Sequence, residues 1–273
     1  MTGTLAQIIS LVSYGNEYFL HGNLPEHFYP TNTVFKFCNS VDFVKFNAVS
    51  KTSNTEEFVV ANDPKDWYKQ LADKGIKFLR LFYQPSADQS RVKDHQMAGM
   101  IGGGGTWLIE AVYENHSDFW QDRWEVTRKD DPNSQIWSVK YGLVAPNEST
   151  RNMQLELPQL RENLSDVLSK ISAFAFSKQL DNFGQIFSRA SAILESENPE
   201  KEYYHKDLIQ NNNYSVEARQ LLFAAASAWV FGGMGSWNDL GFPDQTSEKL
   251  YSELTQILYA DILDSIIATV NSF

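Results

Sequence analysis

Only one cysteine, Cys38, is present, so no disulfide can close within the chain. That usage fits a reducing compartment. Cationic residues are also scarce: 23 Lys and Arg stand against 34 Asp and Glu, a formal net charge of −11. Nucleic acid and anionic membrane surfaces are bound by meeting phosphate with Lys and Arg, so the composition argues against both as partners. The longest apolar run, Leu221 to Phe231, is too short to cross a bilayer. No basic segment or uninterrupted apolar stretch marks the first residues as a signal peptide, and the expected location is the cytoplasm.

Familiar catalytic signatures are missing as well. The histidines His21, His27, His95, His116 and His205 never pair at His-x-x-x-His spacing, and no metal site is expected. There is no Gly-x-Ser-x-Gly elbow. The run Gly102 to Gly105 is not followed by Gly-Lys-Ser/Thr, and it opens into a strand pattern instead of a helix. Neither a P-loop nor a dinucleotide fingerprint fits that context, and no cofactor is expected.

What the chain does have is apolar and aromatic substance, at 42% and 14% of residues, enough for a large core. Leu5, Ile8, Ile9 and Val12 recur at helical spacing, giving an amphipathic helix from residue 4 to about 14, or on to Leu20 if Gly15 does not end it. Thr33 to Cys38 and Val41 to Val49 read as a β-hairpin or two short strands flanking Asn39-Ser40, and Ser50 to Glu57 as a loop. Asp63-Pro64 is a helix start, with Trp67, Tyr68 and Leu71 on the buried side. Ile76 to Tyr83 is apolar on both faces and reads as a central strand. Three alternating segments follow, carrying Trp107, Ile109 and Ala111, then Trp120 and Trp124, then Trp137, Val139 and Tyr141. Short polar turns between them make an antiparallel meander.

Beyond Pro146 the period changes to that of helices. These are expected around Leu157 to Phe174, Phe183 to Leu194, Val216 to Phe231 and Leu250 to Val270. The fold class is therefore α+β: a mostly antiparallel N-terminal sheet with flanking helices over residues 1–148, and an all-α part over 149–273 packed against it as one compact unit.

Two stretches combine Met and Gly, then a hydroxyl residue, then Trp: Met97 to Trp107 and Phe231 to Asp239. Successive glycines can cradle an anion or admit a close ligand, but they also serve as tightly packed turns. Gly232 just past an apolar helix ending at Phe231 has the ordinary explanation of a left-handed cap. Candidate ligand-binding residues are His95, Gly103, Gly104, Trp107, Glu110, Arg123, Trp237 and Asp239. His95 precedes the glycines and is the best general-base candidate, with His205 second. Glu110, Arg80 and Arg123 lie on strands, where carboxylate and guanidinium bind a ligand or, more commonly, each other. Cys38 reads as a small buried hydrophobe.

Two function classes fit. In the first, a non-catalytic binding protein of immunity or regulatory type presents an acidic surface, on the helical half, to a basic protein partner. In the second, a small-molecule enzyme or sensor forms a pocket between the Gly102–Gly105 loop and the Ser236–Phe242 loop. No constellation outweighs its structural explanation, and that favours the first.

Overall fold

The computed structural model describes residues 1–48, 55–86, 91–98, 104–150 and 156–273. The chain begins with α1 (Gly3–His21), which Thr2 caps through its side chain. β1 (Cys38–Ala48) and β2 (Thr55–Ala61) follow, then α2 (Pro64–Asp73), with Asp63 accepting from the Asp66 amide at its start. β3 (Phe78–Gln84), α3 (Arg91–Met97), β4 (Thr106–Val112), β5 (Ser117–Val126) and β6 (Trp137–Glu148) complete the sheet region. The helical region holds α4 (Leu157–Ser177), α5 (Asp181–Ile193), α6 (Val216–Ser227) and α7 (Gln245–Val270). The fold is α+β, and no helix among the described residues is long and apolar enough to cross a membrane.

The six strands are ordered β2-β1-β6-β5-β4-β3, and only the β1–β6 pair is parallel. One face carries Phe43, Trp120 and Tyr141 against Trp67 of α2, which stacks on Phe43 at 4.1 Å. A single cluster of buried residues runs from Leu5 in α1, across this face, to Val270 in α7.

The organising element is α1. Every residue from Leu5 to Asn16 is buried, so this helix is surrounded and does not merely flank the sheet as amphipathic spacing implied. Its polar residues Gln7, Ser10, Ser13 and Asn16 recur every third position along a buried stripe. Gln7 accepts from the Tyr141 hydroxyl at 2.8 Å, and Ser13 accepts from the Gln210 amide at 2.9 Å. Gly15 does not end the helix; a Cβ there would lie 2.5 Å from Leu79 and 2.9 Å from Tyr68, so glycine permits the close approach of α1 to β3 and α2.

Four expectations are corrected. Ile76 to Tyr83 is expected to be central, yet β3 is an edge strand. Its faces are covered by α1 on one side and by the Phe82, Leu108 and Phe119 cluster on the other, and its open edge is closed by side chains. The Asn16 carboxamide takes the Leu79 N–H at 2.7 Å and donates to its C=O at 2.9 Å, and Asn271 does the same for Leu81 at 2.8 and 3.0 Å. Each carboxamide supplies the donor and acceptor that a neighbouring strand would. Second, there is no hairpin about Asn39-Ser40: β1 runs through them, and Thr33–Phe35 is a short 3-10 helix. Asn32 accepts from the Val34 amide and Asp207 from the Thr33 amide, and these two caps hold that turn.

Third, Thr55 to Glu57, expected in a loop, begins β2. Paired glutamates suit an exposed edge strand, so polarity misled there. The rest of that expected loop, 50–54, lies outside the described residues. Last, α6 stops at Ser227 and not at Phe231, and so Gly232 is not its cap. The residues after Ala228 leave the helix to pack around Trp237, whose amide bonds to the Val230 carbonyl at 3.3 Å.

Candidate functional site

The end of β3, the helix α3 and the start of β4 gather a buried polar cluster against Gly104 and Gly105. Asp94 is 1% exposed and accepts from the Tyr83 hydroxyl at 2.7 Å and the Ser86 amide at 3.3 Å. Tyr259 of α7 approaches the Tyr83 hydroxyl at 3.3 Å. Burial, then Tyr259 and Asp94, hold the Tyr83 phenol far above its ordinary pKa, so it stays a proton donor. His95 is buried beside Phe231 and Tyr259, with ring centroids 6.3 and 6.0 Å away. Its carbonyl accepts from the Asn238 side chain at 2.7 Å. The segment before the first glycine stretch therefore touches the second.

Gly104 and Gly105 close this cluster by packing. Gly104 has φ +78°, and a Cβ would lie 3.1 Å from the Asp94 carbonyl. At Gly105 a Cβ would lie 2.3 Å from the Tyr83 ring and 2.7 Å from the Gln84 carbonyl, while its amide donates to the Tyr83 hydroxyl at 3.2 Å. Gly102 and Gly103 lie outside the described residues. Gly105→Ala is expected to cost about 1–3 kcal/mol through overpacking against backbone, read as a lower urea midpoint at unchanged slope.

The other candidates disperse. Trp107 stands against Tyr83 at 4.7 Å. Trp237 is fully buried between Phe183 and Phe187 of α5 and Tyr251 of α7, and its indole donates to Thr255 at 2.8 Å. Asp239, exposed at the end of the 3-10 turn Trp237–Asp239, accepts from the Gly235 amide. Glu110 is fully buried on the outer face of the sheet and holds the Arg80 guanidinium through two bonds of 3.0 Å. Cross-strand register places them directly opposite one another.

Arg123 lies elsewhere, paired with Glu125 at 2.7 Å and lining an outer-face groove of about 290 Å3 with Phe46, Glu57, Lys140, Gly142 and Val144. Lys140 reaches across β1 to Glu57. The Phe46 ring lies over Gly142, where a Cβ would meet it at 2.6 Å, so an aromatic neighbour covers a glycine in the strand.

Several ionisable groups escaped attention in the sequence. On the inner face, burial pushes the Asp122 carboxyl up to about 6, and no cation pairs with it among the described residues. Asp261 of α7 is pushed up to about 6 by burial and then by Asp264 and Asp166 of α4. Asp166 in turn lines a surface groove of about 490 Å3 along α4, with Pro158, Arg161, Glu162 and Ser165. The one local signal was the Asp261/Asp264 spacing on one helical face.

His205 touches the Thr33 hydroxyl at 2.9 Å through Nδ1, and that hydroxyl also donates to Asp207. Burial lowers its pKa against the opposing pull of Asp207. The Asp207 carboxylate is engaged with the Thr33 amide, so the trio ties two loops together. Burial raises the Cys38 thiol to about 11, which leaves it protonated and a poor nucleophile at neutral pH. Among the described residues no group of His, Cys, Asp and Glu side chains is arranged to hold a metal ion. No protein-family model, curated protein or solved structure matches the chain.

Proposed function

We propose that the chain is a non-catalytic interaction protein, of immunity or regulatory type, which engages a basic protein partner through the helical half. The observation that carries this reading is the Asp261 carboxyl of α7, which feels the charges of Asp264 and of Asp166, the latter on the α4 groove. Asp166 is paired with Lys170, while burial and the neighbouring negative charges raise the Asp261 carboxyl, a penalty that a cation from a partner relieves. The chain from residue 151 onward supports it, with 9 Lys and Arg against 16 Asp and Glu. So does the engagement of Glu110, Trp237 and Asp239 in internal bonds, which leaves them little to offer a ligand.

A short oligolysine peptide tests the reading. Its binding is expected to bring the Asp261 carboxyl back down from about 6 toward the ordinary range, followed by carboxyl carbon resonances across a pH titration. The double variant Asp166→Asn, Asp261→Asn is expected to weaken binding about tenfold or more, with the loss fading at high salt. Unaltered Asp261 titration, or equal binding by the double variant, overturns the site.

A second reading, a small-molecule enzyme or sensor, draws on the contact between His95 and Asn238 and on the Tyr83–Asp94–Tyr259 cluster beside it. A thermal-shift screen with nucleotides, sugars and small acids separates the two. A saturable shift that is abolished by Tyr83→Phe favours the second.

A further inference from the structure

The two edges of the sheet are treated differently. Along β3 the Asn16 and Asn271 carboxamides occupy the outward N–H and C=O groups of Leu79 and Leu81. Along β2 the Val60 carbonyl alone is taken among the described residues, by the Gln70 side chain. Val60 is also the extra residue where the register shifts between the Phe43–Ala61 and Val44–Val59 pairs. Among the described residues nothing pairs with the outer backbone edge from Thr55 to Val59. An edge strand turns the N–H and C=O groups of alternate residues outward, as a template for another strand. The side chains along this one are not those of a guarded edge on its apolar part, since Phe58 and Val59 are 46% and 55% exposed, on opposite faces.

We propose that the Thr55–Val59 edge of β2 receives an extended segment of a partner protein, one that alternates basic and apolar residues and adds a seventh strand. The backbone edge supplies hydrogen bonds, Phe58 and Val59 supply apolar contact on the two faces, and Glu56 supplies charge. Glu56 has no ion-pair partner among the described residues, whereas Glu57 beside it is held by Lys140. An incoming Lys or Arg is therefore met by Glu56, and the chain's net charge of −11 favours such a segment over a second copy of this chain. The assignment shares with the proposed function only the sign of the partner's charge; the strand β2 and the α4 groove are separate surfaces.

The test uses the full chain and a short synthetic peptide alternating lysine and valine, with a glutamate-for-lysine peptide as control. The lysine peptide is expected to bind, to slow amide exchange within Thr55–Val59, and to bind about tenfold more weakly to Glu56→Lys. The double variant Asp166→Asn, Asp261→Asn is expected to bind it unchanged, so failure of the α4 site and failure of this one read differently. Val59→Lys, which guards the edge on the exposed outer face, is expected to abolish the exchange protection. Equal binding of the glutamate peptide, protection confined to other strands, or a dimer that β2 substitutions dissolve each overturns the assignment.

Discussion

Glu110→Ala lowers the unfolding free energy by about 3–5 kcal/mol, the cost of breaking a buried ion pair by removing one partner. Glu110 is fully buried and holds Arg80 in a two-pronged contact from the neighbouring strand. Its loss leaves a guanidinium facing an emptied position beside Phe82, Leu108 and Phe119, the small apolar cluster of the outer face. The penalty combines the lost two-pronged contact with the buried space left empty, and the double variant tests how much returns when both side chains are replaced. Arg80→Met with Glu110→Leu is expected to recover most of the loss, because apolar residues of similar volume replace buried pairs at little cost. Urea unfolding of the single and double variants measures both. A Glu110→Ala protein within about 1 kcal/mol of the parent overturns the structural role and returns the residue to the pool of binding candidates.

Asp122→Asn acts in the opposite direction. Burial raises this carboxyl from 3.8 to about 6, so the folded protein binds its proton more tightly than the unfolded chain does. The charge therefore opposes folding fully above about 6, and this opposition fades as the pH falls through 6 toward 3.8. A rise of that size corresponds to about 3 kcal/mol at most at neutral pH. Asn keeps the shape and carries no charge, so the variant is expected to be more stable by up to that amount at about pH 7.5 and to converge on the parent near pH 4. Asp261, shifted the same way, is present in both proteins and cancels in the comparison. A stability difference that is constant with pH, or a variant weaker than the parent at neutral pH, sinks the account.

Local signals in the sequence were read well wherever neighbours in the chain carry the physics. The alternation through Trp107, Ile109 and Ala111 placed β4, and the Asp63-Pro64 start marked α2. Residue types at the outer-face pair were legible too, yet the partner of Glu110 was open between Arg80 and Arg123 until register placed Arg80 opposite it. The closure of β3 was not legible, because its two carboxamides come from Asn16 and Asn271, at opposite ends of the chain. The same distance hid the Asp166–Asp261 proximity, which exists only because α4 packs on α7.

Composition and period by themselves determined an acidic α+β chain: alternation of side chains on a strand and recurrence on a helix are short-range geometry. Tertiary packing alone decided that α1 lies at the centre and that β3 ends the sheet. It also decided that most candidate site residues are spent on internal bonds. Burial on all sides and pairing across long separations depend on which surfaces meet, and no window of residues carries that information.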